Sequence, residues 1–228
     1  MLKKLCLKNA VITIDAMGTQ KKIAEQIIKQ EADYVLALKD NQKTLCQDTV
    51  LLFDELISDI NPEEKELLKQ QKRYHRTLDN SHGRMEIREY YVIHDIEYIK
   101  QNHHFKGLSC LGMCVSRRQV GDKTTVNYHY DICSIEHCTA EAYAQYKRGH
   151  WSVENGLHWV LDVAFREDLS RIRKGSGAEN VSVFRHLATS LLKQEPSKLG
   201  IAAKRKKCGW DKTFLFKVLG IDLTGINR

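Results

Sequence analysis

The feature that most constrains this chain is a change of hydrophobic period within its first quarter. Residues 9–15 (NAVITID) form a short β-branched apolar run that ends in an acid, and residues 33–39 (DYVLALK) form a second. Runs of this length and composition read as buried strands. Between them, Ala16, Met17 and Gly18 turn the chain, and the Thr19 hydroxyl is placed to cap a helix. Ile23, Ala24, Ile27 and Ile28 then recur at helical spacing as far as Gln30. Asp40 and Asn41 make another turn, and Leu45, Leu52 and Leu56 mark a second helix. Strand, helix, strand, helix is the pattern of a parallel α/β layer. Asp15 therefore falls at the carboxyl end of a strand, where open α/β sheets place their sites. An Asp there also serves as an ordinary turn residue.

The middle of the chain changes character. Residues 62–72 (PEEKELLKQQK) read as an exposed charged helix with Pro62 in its first turn. Arg73, Tyr74, His75 and Arg76, then Asn80, Ser81, His82, Gly83 and Arg84, read as a pair of basic loops. Such loops suit phosphate and nucleic-acid backbone, and equally suit plain solvation. Residues 85–94, 108–117 and 125–134 alternate as strands, with Val126, Tyr128, Tyr130 and Ile132 opposing Asn127, His129 and Asp131. Gly121 and Asp122 turn the last two into a hairpin. The expectation is an antiparallel block of three strands in a β-rich region of residues 73–135.

Residues 148–168 (RGHWSVENGLHWVLDVAFRED) combine acids, imidazoles and large apolar side chains at helical spacing. Trp151, Leu157, Val160, Leu161 and Phe165 supply the apolar steps, in a helix over 150–166 that follows another begun at 140–146, with a break at Gly149. His150, Glu154 and His158 stand four residues apart on one face, and Asp162 extends the row. Three readings are open: a polar row facing water, a zinc site on His150 and His158, and a carboxylate holding magnesium with an acid from elsewhere. Beyond them, Arg171, Arg173 and Lys174 precede Gly175, Ser176 and Gly177 in a flexible basic loop. A helix starting at Asn180 or Ser182 and ended by Pro196 follows, then an exposed basic run at Lys204, Arg205, Lys206 and Lys207, and a last short helix around Phe214 and Leu219. The expected division is residues 1–195 as a catalytic domain and 196–228 as a basic tail with a short helix.

Composition narrows the class. At 42% hydrophobic and 29% charged, the 228 residues are those of a globular protein rather than a disordered one. Lysine and arginine outnumber acids 36 to 29, a balance of +7 that leans towards polyanionic partners. No apolar run reaches the ~20 residues of a membrane-spanning helix, and no signal peptide is visible. A cytoplasmic protein with free thiols is therefore expected, since the seven cysteines are odd in number. Cys110, Cys114, Cys133 and Cys138 are spaced loosely for zinc and read as small buried apolar residues.

Several blocks, in order, resemble the insertion-sequence transposases of the ISAs type, also called H-repeat-associated proteins. They are ITIDAMGTQ at 12–20, ADYVLALK at 32–39 with Asn41 and Gln42, HGRME at 82–86, HWSVEN at 150–155, LHWVLDV at 157–163 and FRED at 165–168. The resemblance implies a DDE catalytic domain of RNase H-like fold. In that fold three acids hold two divalent ions, Mg²⁺ or Mn²⁺, against DNA phosphate. It makes Asp15 the second acid and Glu154 the third, both catalytic and metal-binding. It implies DNA as partner, meaning the element's terminal inverted repeats and the target, is compatible with a homo-oligomer, and involves no membrane. Arg84, Arg148, His150, Arg171, Arg173 and Lys174 are the expected DNA contacts.

The chain also departs from the family pattern. The first acid lies on an earlier strand of that fold, and no acid among residues 1–10 replaces it. The fold expected here is thus α/β: a partial RNase H-like core of strand, helix, strand and helix, with an inserted antiparallel β region and C-terminal helices. Its sheet would expose an unpaired edge. The functional expectation is an N-terminally truncated transposase, inactive alone. The alternatives are a non-catalytic DNA-binding remnant that modulates a full-length transposase, and a zinc-containing binding module.

Overall fold

A computed structural model describes residues 5–81 and 84–221, apart from the side chains of Ser81, Glu154 and Asn155. Within it the chain divides into two compact units, residues 1–150 and 151–228.

The first unit is a sheet covered by helices on both faces. Strand β1 (Val11–Ile14) leads through helix α1 (Lys21–Lys29) to β2 (Asp33–Leu38), and β1 and β2 pair in parallel with Thr13 opposite Val35. This is the strand-helix-strand opening read from the sequence. Helices α2 (Lys43–Ile57) and α3 (Pro62–Gln70) follow. Asn61 and Glu64 close a reciprocal capping box at the start of α3, with Pro62 in its first turn. Next come β3 (Tyr74–Ser81), β4 (Arg84–Ile93), α4 (Glu97–His103), β5 (Cys110–Val120) and β6 (Lys123–Cys133). Helix α5 (Ala140–Val153) follows, and the unit ends within it at His150.

The six strands form one mixed sheet in the order β1-β2-β6-β5-β4-β3. Strand β6 runs antiparallel to β2, with Leu36 opposite Ile132, and so joins the antiparallel strands to the α/β opening. Strand β1 stands at one edge. Side chains alternate across the sheet. One face carries Tyr34, Leu36 and Leu38 beside Leu111, Met113, Val115 and Ile132, packed with Ala24, Ile27, Leu45, Phe53 and Ile99 from the helices. The other face lies under α5 and carries Asp15 at its β1 edge.

Several expectations are corrected. Residues 74–81 are not a loop: YHRTLDNS pairs with β4 along its whole length, so the antiparallel block has four strands rather than three. Thr19 does not cap α1, which Gln20 precedes; its hydroxyl donates to the Ala37 carbonyl at 2.5 Å. Gly149 does not interrupt α5. The predicted β5–β6 hairpin is present, with Val120 opposite Lys123 and Gly121 at φ +57° in the turn.

The second unit is helical. A π-helical turn (Glu154–His158) leads into α6 (Trp159–Phe165), and α7 (Gly177–Gln194), α8 (Ile201–Trp210) and α9 (Lys212–Val218) follow. The run 204–207 was expected to be exposed, yet Lys204 is buried, because its ammonium reaches Glu195 and the carbonyls of Leu192 and Glu195. Arg205 instead covers the Phe165 ring at 5.4 Å. Glu195 is buried among Ser197, Lys204 and Lys217. The Ser197 hydrogen bond first, then the two ammonium groups, hold its carboxyl down at about 2. The fold therefore favours the charged form. The stability this gives is present above the ordinary carboxylate value of 4.5 and is lost as the pH falls from there towards 2. Acid unfolding followed by tryptophan fluorescence is expected to begin in that window for the wild type, and Glu195→Gln is expected to lose this part of the pH dependence.

Candidate active site

The turn after β1 is held from three sides. It closes on itself through Gly18 N–H to the Asp15 carbonyl at 2.8 Å and Thr19 N–H to the Ala16 carbonyl at 3.0 Å. Gly18 has no side-chain room, since a Cβ there would stand 2.3 Å from the Ile14 Cγ2. From the turn after β2, the Asn41 amide donates to the Ala16 carbonyl, and the Gln42 amide donates to the Thr19 carbonyl at 2.9 Å. The backbone that follows Asp15 is thus fixed by residues some 25 positions away in sequence.

Asp15 itself stays open. Its side chain is 70% exposed, while that of His150 is 19% exposed. His150 Nε2 lies 3.0 Å from Asp15 Oδ1, and Nδ1 lies 3.1 Å from the Thr13 hydroxyl. With the proton on Nε2, the imidazole donates to Asp15 and accepts from Thr13, and all three groups are satisfied. Of the expected DNA contacts, the structure therefore brings His150 to the expected acid rather than leaving it free on a polar row.

One turn earlier on α5 lies a buried polar cluster. Lys147 Nζ donates to both Asp131 oxygens at 2.8 Å, and the Tyr143 hydroxyl donates to Asp131 Oδ2 at 2.5 Å. Asp131 is 1% and Lys147 5% exposed. Burial, with the adjacent carboxylate, pushes the Tyr143 hydroxyl well above its ordinary value, so it stays protonated as a donor. Thr13, Val35, Asp131, Lys147 and His150 line one small cleft. Neither Asp131 nor Lys147 was singled out from the sequence. The available signal was a lysine in step with Ala140, Tyr143 and Ala144 on the apolar stripe of a helix.

The remaining expected residues are more dispersed. Arg84 begins β4 and reaches Glu86 at 3.8 Å. Arg148 is exposed on α5. In the second unit, Arg171, Arg173 and Lys174 are exposed on the irregular segment before α7. Glu154 opens the π-helical turn, so the backbone from Glu154 to His158 is not the plain α-helix that the four-residue spacing predicts. The Glu154 side chain, and His82 and Gly83, lie outside the described residues.

Asp15 offers an accessible hard oxygen donor of the kind Mg²⁺ or Mn²⁺ takes. Among the described residues, no group of three or more His, Cys, Asp or Glu stands together to hold a metal. The zinc alternative thus finds no ligand set there. Cys110, Cys133 and Cys138 are buried, and the hydrogen bond from Cys133 first, with burial, raises the Cys110 thiol. No described helix is long and apolar enough to cross a membrane. Lys147→Ala leaves the Asp131 charge buried without its partner and is expected to cost about 3–5 kcal/mol, read by urea denaturation.

Comparison with known proteins gives a consistent result. Residues 1–191 match the family described as the transposase DDE domain. The chain is 37% identical over 228 aligned positions to the "H repeat-associated putative transposase YhhI" of Escherichia coli (strain K12), covering 96% of this chain and 57% of that one. It is 37% identical, with the same coverage, to "Putative protein YbfL" of the same strain. It is 38% identical over 224 positions to "Putative transposase YncI" of Escherichia coli O157:H7, covering 96% of this chain and 55% of that one. The chain thus spans a little over half the length of these relatives. No solved structure matches.

Proposed function

Because the chain belongs to the DDE transposase family, we propose that it supplies two acids, Asp15 and Glu154, to the strand-transfer site of an insertion-sequence transposase. The observation that carries this reading is the open Asp15 carboxylate at the carboxyl end of β1, on a turn clamped by Asn41 and Gln42 and faced by His150.

DDE transposases generally use divalent metal ions. Asp15 and Glu154 would hold such ions, Mg²⁺ or Mn²⁺, which would supply activation of an attacking water or DNA 3′-hydroxyl and charge stabilisation at the departing 3′-oxygen. The chain's own residues prepare that site. Thr13 orients the His150 ring, and the ring holds Asp15 Oδ1 while leaving the second carboxylate oxygen to a ligand. Arg84, Arg148, Arg171, Arg173 and Lys174 meet phosphates of the element ends and target DNA. This reading places the protein in the cytoplasm and is compatible with a homo-oligomer.

A second reading is a DNA-binding remnant without catalysis. It is favoured by the +7 balance and by the exposed Arg148, Arg171, Arg173 and Lys174.

The deciding assay is nicking of DNA carrying the element ends with Mg²⁺ or Mn²⁺, by the chain alone and by the chain joined to the additional sequence of a longer relative. Nicking by the chain alone would mean that the acids it carries suffice. In the joined protein, Asp15→Asn or Glu154→Gln is expected to lower the rate about 10³-fold or more, since a lost metal ligand removes several kcal/mol of transition-state stabilisation. An Asp15→Asn protein that nicks at the wild-type rate would remove Asp15 from the site. If the chain only binds DNA, with no metal requirement and an affinity that falls steeply with salt, the second reading stands.

A further inference from the structure

Asp131, Lys147 and Tyr143 form a buried trio that no part of the expected acid set explains. A buried ion pair gives little net stability over an apolar pair of the same volume, but it demands one alignment. Here the alignment is demanded three times over. Lys147 meets both oxygens of Asp131 at 2.8 Å. The Tyr143 hydroxyl meets Oδ2 at 2.5 Å. The Tyr143 ring lies on Gly112, the register partner of Asp131, where a Cβ would stand 2.6 Å from the ring. Helix α5 is therefore pinned to two adjacent strands by side chains one helical turn apart.

The next turn of the same helix carries His150, whose contacts with Asp15 and Thr13 are 3.0 and 3.1 Å long. A slide of α5 by a single residue moves that ring by about 1.5 Å, half the length of either contact, which is enough to spoil the geometry of the pair. Thr13, Asp131, Lys147 and His150 line the same cleft, so the trio sits directly beside the contact it would control.

We propose that Asp131, Lys147 and Tyr143 are positioning residues: they set the register of α5 on β5 and β6, and that register holds the His150 ring against the Asp15 carboxylate. The importance of this for catalysis rests on Asp15 being a metal ligand; the positioning itself does not.

The test replaces the charged pair by an apolar one, Asp131→Leu with Lys147→Met, in the full chain. Such a pair fills the same space and is expected to leave the fold intact by thermal melting. The ring ¹H–¹⁵N signals of His150, assigned through His150→Gln, are then compared with the wild type. They are expected to move to the positions of a solvent-exposed imidazole. Mn²⁺ affinity, read from broadening of signals around Asp15, is expected to fall about 10- to 100-fold, as for lost outer-shell support of a ligand. Tyr143→Phe, which keeps the ring on Gly112 and removes only the hydroxyl, is expected to move the His150 signals in the same direction by less, and it decides the matter if the double variant does not fold. Unchanged His150 signals in the folded double variant, or in Tyr143→Phe where that alone folds, overturn the proposal. If Asp15→Asn leaves Mn²⁺ broadening of the wild type unaltered, the metal reading of Asp15 fails separately, and the His150 signals still judge the positioning role.

Discussion

Everything in the first unit depends on four register pairs between β2 and β6, from Val35 opposite Cys133 to Leu38 opposite Tyr130. Strand β2 came from a parallel strand-helix-strand unit and β6 from an antiparallel hairpin, and the two kinds of sheet have different hydrogen-bond spacing. Their junction succeeds because β2 is apolar on both sides. Tyr34, Leu36 and Leu38 go to the helical layer of α1 and α2, and Val35 and Ala37 go under α5. A strand with only one apolar face could not have served both layers.

The two faces of that sheet do different work. One is a continuous hydrocarbon layer in which Phe53, Ile99, Leu111 and Met113 are wholly buried, and it carries the cohesion. The other trades apolar area for specific polar contacts: Asp131 with Lys147 and Tyr143, then His150 with Thr13 and Asp15. The polar contacts lie along one helix, so chemistry and alignment are settled by the same element. The protein can be read as a stable half that fixes where β1 ends and an aligned half that fixes what faces it.

What was legible in the sequence follows from the range of the interactions. The α/β opening, the start of α3 and the β5–β6 hairpin are local: β-branched runs, Pro62 and Gly121-Asp122 announce themselves within a few residues. Asp15 was legible for the same reason, as the acid that ends an apolar run. The family was legible from its blocks of motif residues. Strand β3 was not, because YHRTLDNS has no apolar alternation and becomes a strand only by pairing with β4. Thr19 looked like a cap because its alternative acceptor, the Ala37 carbonyl, lies on another strand. Lys204 looked solvated because its counter-charge, Glu195, comes from beyond the preceding helix end. The π-helical turn at Glu154 was hidden by apolar steps of three and four residues, which an α-helix explains equally well.

The β5–β6 hairpin outruns its support. Its ladder continues from Cys110 opposite Cys133 out to Val120 opposite Lys123, yet among the described residues β2 accompanies β6 only over the last four positions. Beyond Tyr130, β6 is bound along one edge only, and its outer residues are exposed. Such a ribbon behaves as a zipper with a stop. Opening starts at the Gly121 turn, costs little for each pair released, and halts where β2 and the apolar layer take hold. Among the amides of β6 that point to β5, protection should therefore rise in a gradient from Lys123 to Tyr130 and then step sharply, so that one strand belongs partly to the periphery of the protein and partly to its most slowly exchanging core.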